Sequence, residues 1–133
     1  MHTRRNAMLV ALGLAAMAAI GPAIADMPGS KPFDPAAFDE ALKSGKPILV
    51  EISAPWCPIC KTQKPILGKL LADPKYKDMA AFEIDFDTGK ANVRKLGATA
   101  QSTLLVYKDR KEVGRSVGET QPEWIADLLD KAV

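Results

Sequence analysis

Residues 48–71 read ILVEISAPWCPICKTQKPILGKLL, and this stretch decides the fold. Ile48 to Ser53 is short, apolar and rich in β-branched residues, the mark of a buried strand. One charge, Glu51, interrupts it. A helix begins around Cys57 and runs to Leu71, with Cys57 and Cys60 on its first turn, close enough to bridge. Pro65 lies inside that helix, where it removes one hydrogen bond and crowds the previous turn, so a kink is expected.

Working outward, Phe33-Asp34-Pro35 opens an earlier helix. Asp34 is a good N-cap and Pro35 suits the first helical position. Phe33 and Phe38 have the spacing of a hydrophobic staple, and Gly45 ends the helix. Downstream, Ala80 to Phe86 reads as a strand and Ala91 to Leu96 as a short helix. Thr103 to Lys108 and Glu112 to Val117 read as two strands joined by the polar turn Lys108-Asp109-Arg110-Lys111. Thr120-Gln121-Pro122-Glu123 has the pattern of a capping box. It starts a last helix whose Trp124, Ile125, Leu128 and Leu129 are assigned to the core. The order α-β-α-β-α-β-β-α predicts an α/β fold: a mixed central sheet, with parallel crossovers early, an antiparallel pair late and helices on both faces.

Ahead of this domain, which we place at residues 33–133, Met1 to Ala25 reads as an export signal. His2-Thr3-Arg4-Arg5 is its positive region, Ala7 to Ile20 its apolar run, and Ala23-Ile24-Ala25 its cleavage pattern. Ala7 to Ala25 is barely long enough for an uncleaved anchor; its alanine-rich core and small-residue end favour cleavage. Thr3 to Leu9 resembles a twin-arginine signal with Ala7 where that motif prefers Phe, and the general secretory route is the alternative. Residues 26–32, with two prolines, a glycine and a serine, are expected to be a flexible lead-in.

The chain of 133 residues has 47% hydrophobic and 26% charged residues, which suits one soluble globular domain. Its net charge of +2 excludes a strongly basic nucleic-acid binder. Cleavage after Ala25 removes Arg4 and Arg5 and leaves 16 basic against 16 acidic side chains. It also removes His2, the single histidine, and with it any Cys–His or Ser–His pair, histidine metal site or haem-attachment motif.

The chemistry therefore rests on the two cysteines. A helix N-terminus carries partial positive charge and free N–H groups, which lowers the pKa of Cys57. Cys57 is expected to be an exposed attacking thiolate. Cys60, one turn deeper and more buried, is expected to keep its proton and to resolve the mixed disulfide. Two bland readings stand beside this one. Half a zinc site would need a second chain, and an inert bridge closing so short a loop would stabilise only weakly. Glu51 is either a solvent-facing strand charge or a desolvated carboxyl with a raised pKa, ready to take the Cys60 proton. Lys61 and Lys64 are read as solvated helix positions.

Trp56-Cys57-Pro58-Ile59-Cys60, with Pro65 five residues on, resembles the active-site helix of thioredoxin-fold proteins. The resemblance runs from about Asp34 to the C-terminus. Glu51 matches that family's buried acid, and Gly118 the glycine ending its last strand. The family implies a thiol:disulfide oxidoreductase without a bound organic cofactor. Trp56 is read as a packing residue flanking the site with a secondary role in partner contact, and Pro58, Ser102 and Thr103 are expected to contact substrate with it. Two departures bear on mechanism. Ser102 occupies the cis-proline position, and Glu83 falls where a lysine often stands, which removes a counter-charge from Glu51. A cis bond before a non-proline residue costs about 2.5–4 kcal/mol, so the Gln101–Ser102 bond is expected to be trans. Ser102→Pro is expected to alter activity toward protein disulfides and leave the fold intact.

Pro58 and Ile59 bring no histidine or cation between the cysteines, which argues for a mild or reducing poise. The expected protein is a periplasmic monomer that reduces protein disulfides and draws electrons from a membrane donor. The alternatives are an oxidase or isomerase of the same fold, or a non-catalytic dimer holding a metal or iron–sulfur cluster through Cys57 and Cys60.

Overall fold

A computed structural model of the chain describes residues 27–133, so the export signal read in residues 1–25 lies outside the described residues. The elements are β1 (Ser30–Pro32), α1 (Pro35–Ser44), β2 (Ile48–Ser53), α2 (Pro58–Leu71), a 3-10 turn (Pro74–Tyr76), β3 (Ala80–Asp85), α3 (Lys90–Lys95), β4 (Thr103–Lys108), β5 (Lys111–Val117) and α4 (Pro122–Asp130). The strands form one sheet in the order β1-β3-β2-β4-β5. β2 and β1 run parallel to β3, while β4 runs antiparallel to β2 and β5. The mixed sheet of the sequence reading is what forms. No helix among the described residues is long and apolar enough to cross a membrane.

Strand alternation sorts the core into two halves. Ile48, Val50 and Ile52 of β2, Phe82 and Ile84 of β3, and Leu105 and Tyr107 of β4 pack against Phe38 of α1 and Val93 of α3. Leu49, Ala81, Leu104 and Val106 face the other way, onto Leu67 of α2 and Ile125, Leu128 and Leu129 of α4. Glu51 and Glu83 have the parity of this second set and stand directly opposite each other in the β2–β3 register. Two carboxylates are thus placed side by side beneath α2.

The local signals at α1 hold. Asp34 accepts a hydrogen bond from the Ala37 N–H, the Phe33 and Phe38 rings lie 5.1 Å apart, and Gly45 caps the helix at φ +73°. Three expectations are corrected. Residues 27–32 are not a flexible lead-in: Met27 is buried, and Ser30–Pro32 pairs along β3 as an edge strand. The nearby Pro28 packs so closely on α2 that a Cβ at Gly68 would come within 2.9 Å of its ring. Thr120 does not cap α4; the helix starts from Gln121, and the Glu119 carboxylate accepts the N–H groups of Thr120 and Gln121 instead. Trp124 is not core. It is 67% exposed, because Ile125, Leu128, Leu129 and Ala132 already form the buried stripe and Trp124 falls beside it.

Candidate active site

β2 delivers the chain to the end of the sheet, and α2 begins there. Cys57 is the N-cap of α2, and its Sγ accepts the Cys60 N–H at 3.1 Å. Cys57 and Cys60 are joined as a disulfide, with Cα atoms 5.3 Å apart. The expected contrast in exposure is absent in this oxidised form, since both cysteines are buried. What differs is their surroundings. Cys57 meets the helix N-terminus, whose N–H groups favour a thiolate. Cys60 lines a cavity of about 590 Å³ whose wall also holds Ser53, Lys64 and Glu83.

Lys64 is the residue that sequence reasoning missed. It is no solvated position: its side chain is only 12% exposed, and its Nζ lies 3.3 Å from Glu51 Oε1. It also donates to Glu83 Oε1, and to Ser53 Oγ at 3.4 Å. Lys64 lies one turn after Cys60, so the helix aims both at the same part of the sheet. The counter-charge for Glu51 is therefore present, supplied from α2 and not from β3. The signal was available: two acids on one face of paired strands, and a lysine four residues beyond the cysteine above them.

Glu51 is fully buried, as the desolvated reading requires. Burial pushes its carboxyl up to about 7; Lys64 opposes the shift, and Glu83 adds to it. The folded protein therefore keeps a proton that an unfolded carboxyl, at 4.5, has lost. Stability contributed by Glu51 is intact below that value and falls as pH rises through about 7. Glu51→Gln should flatten this fall and leave the variant more stable at pH 8, by on the order of 2–3 kcal/mol. Urea denaturation of both proteins across that pH window measures it. Equal slopes would contradict the assignment.

The residues expected at the substrate surface divide. Trp56 is 55% exposed and donates its indole N–H to Asp87 at 2.6 Å; Pro58 and Ile59 are exposed beside it. Thr103 is buried and donates to the Ala100 carbonyl. Its parity is that of Leu105 and Tyr107, and its hydroxyl is engaged within the turn that leads into β4.

Ser102 is buried, with its hydroxyl donating to the Gln101 carbonyl at 2.6 Å. The Gln101–Ser102 bond is trans, as its cost implied. Its φ of +55° overturns the expectation that Ser102→Pro preserves the fold. Proline is held near −65° and cannot take up this conformation. Ser102→Pro should cost at least about 1–3 kcal/mol, whereas Ser102→Gly should hold or raise stability. Thermal melts separate the two, and a proline variant as stable as the parent would refute the strain argument.

A buried cysteine pair at a helix N-terminus, over a carboxyl poised near neutrality, defines a dithiol/disulfide exchange centre of the thiol:disulfide oxidoreductase class. The thioredoxin family model matches residues 30–131. Thioredoxin from Staphylococcus aureus is 36% identical over 97 residues, which cover 72% of this chain and 90% of that protein. Thioredoxin from Chlamydia muridarum is 33% identical over 94 residues, covering 71% and 89%. The crystal structure of Trxlp from Edwardsiella tarda matches with a TM-score of 0.74 at 43% identity, over 75% of this chain and 97% of that one. The chain belongs to the thioredoxin family, and it is a thioredoxin-like disulfide oxidoreductase.

Proposed function

We propose that this protein is an exported, periplasmic monomer that reduces disulfides of other proteins and is itself re-reduced by a membrane electron donor. The observation that carries the direction is the charge around the pair. Apolar Pro58 and Ile59 separate the cysteines, and the one cation on the cavity wall that reaches the buried acids, Lys64, is outnumbered by Glu51 and Glu83. A strong oxidant owes its potential to a stabilised reduced form, and nothing in this arrangement stabilises a second thiolate.

In the cycle, the Cys57 thiolate attacks one sulfur of a substrate disulfide and releases the other as a thiolate. Cys60 then gives up its proton and attacks Cys57 Sγ, releasing the second substrate thiol. Two electrons pass to the substrate, and the Cys57–Cys60 disulfide remains. Glu51 accepts the Cys60 proton. Lys64, which contacts Glu51 and lines the cavity with Cys60 and Glu83, links the two. Trp56 and Pro58, exposed beside the pair, form the substrate surface together with the chain at Ser102 and Thr103.

The export reading rests on the charged, apolar and small-residue regions of residues 1–25. The periplasm is kept oxidising, so a reductant there needs an external supply of electrons. Equilibration with a glutathione or dithiothreitol buffer tests the direction. A potential below about −220 mV is expected, and one near −120 mV would identify an oxidant. Fractionation of cells making the full chain tests location, and recovery of it with intact residues 1–25 in the cytoplasm would refute export.

A further inference from the structure

α2 buries Cys60, Gln63, Leu67 and Gly68, and Gln63 alone among them carries a long polar side chain. Its Nε2 donates to the Ser102 carbonyl at 3.3 Å and to the Glu119 carbonyl at 2.9 Å. The Ser102 carbonyl also accepts the Gly118 N–H at 2.9 Å. One amide thus ties together the segment that enters β4 and the segment that leaves β5. The second lies against the Cys57–Cys60 loop, where a Cβ on Gly118 would lie 4.0 Å from Cδ1 of Ile59, and the first is hydrogen-bonded to it through Gly118.

Gln63 is held there at a cost. Its Oε1 is buried without a hydrogen-bond partner, which is unfavourable for an amide oxygen withdrawn from water. Methionine is of similar size and would carry no such penalty. The segment it binds does not set its own shape, since Ser102 sits at φ +55° and Gly118 at +75°. A non-glycine residue in that region persists only where its surroundings impose it. The donors of Gln63 therefore do something that packing alone would not require.

We propose that Gln63 is a positioning residue for protein substrates: it fixes the Ser102 and Gly118–Glu119 backbone as a rigid rim beside the disulfide. A substrate segment laid across Trp56, Ile59 and Val117, all exposed, meets a rim already in place and spends less free energy ordering it. A small disulfide reaches Cys57 without touching the rim. This inference rests on disulfide exchange at Cys57.

The test uses the full chain, reduced and freed of reductant, in single-turnover reactions with insulin and with a small aromatic disulfide. In Gln63→Met the half-saturating insulin concentration should rise about tenfold, because the rim must then be ordered at each encounter with substrate. The maximal rate and the small-disulfide rate should stay within about twofold. Insulin saturation unchanged from the parent would overturn the proposal. So would a parallel fall in both reactions, because Gln63 would then act on the disulfide or the fold. If Gln63→Met does not fold, Gln63→Asn serves: its amide is too short to span both carbonyls, and the same rise in half-saturation is expected. A parent protein that reduces neither disulfide would instead refute exchange at Cys57, and this inference with it.

Discussion

Cys60→Ser should turn the protein into a trap. Cys57 can still attack a substrate disulfide, but no second thiol one turn along the helix can release it. Reduced variant mixed with a disulfide-bonded protein should accumulate one stable adduct through Cys57, visible on a non-reducing gel and cleared by dithiothreitol. Cys57→Ser should form no adduct, and its turnover should fall on the order of a thousandfold or more, because a neutral hydroxyl is no substitute for a thiolate at the helix N-terminus. The assignment of roles comes from the N-cap position of Cys57 and the placement of Cys60 on the cavity wall. An adduct that forms on Cys60 in Cys57→Ser, and not on Cys57 in Cys60→Ser, would reverse it.

Lys64→Met should produce the largest loss of stability. The amine contacts both Glu51 oxygens, at 3.3 and 3.4 Å, as well as Glu83 and Ser53. Without it, two adjacent carboxylates face each other beneath α2 with no cation. Breaking a buried pair by removing one partner costs about 3–5 kcal/mol, a large share of a domain's total of about 5–15. The cost should depend on pH, with a definite sign. Glu51 titrates near 7 in the folded parent, and loss of Lys64 raises it further. The penalty should therefore be greatest at pH 8 and shrink as pH falls and Glu51 takes up its proton. Urea denaturation at pH 8 and pH 5 reads this directly. Glu51→Gln placed on top of Lys64→Met should recover much of the loss. A penalty below about 1 kcal/mol at pH 8 would mean that the ion pairs are solvent-screened and hold nothing.

What could be read without coordinates was local. Asp34 before Pro35 and Gly45 after Ser44 mark α1 because caps act within a turn. The β-branched run at Ile48–Ser53, the cysteines at the first turn of α2 and the late hairpin follow from periods of two and 3.6. The helix dipole at Cys57 is a property of its own helix. The burial of Glu51 was also within reach, because one charge in an apolar strand has few places to go.

Tertiary structure decided the rest, and each case involves residues far apart in the chain. Lys64 looks solvated along its own helix; it becomes a buried counter-charge because α2 lies over the strand pair that aligns Glu51 with Glu83. Met27 to Pro32 reads as linker by composition, yet the open edge of β3 accepts Ser30–Pro32 as a strand. Trp124 has the right amphipathic spacing, but the sheet offers α4 only enough surface for the stripe of Ile125, Leu128, Leu129 and Ala132. Ser102 takes a left-handed conformation that its own sequence does not favour, held where β4 begins and β5 ends against Gln63. Periodicity and capping report what a segment does to itself. Charge pairing, edge coverage and imposed backbone geometry depend on which segment arrives opposite, and that is settled only when the chain closes on itself.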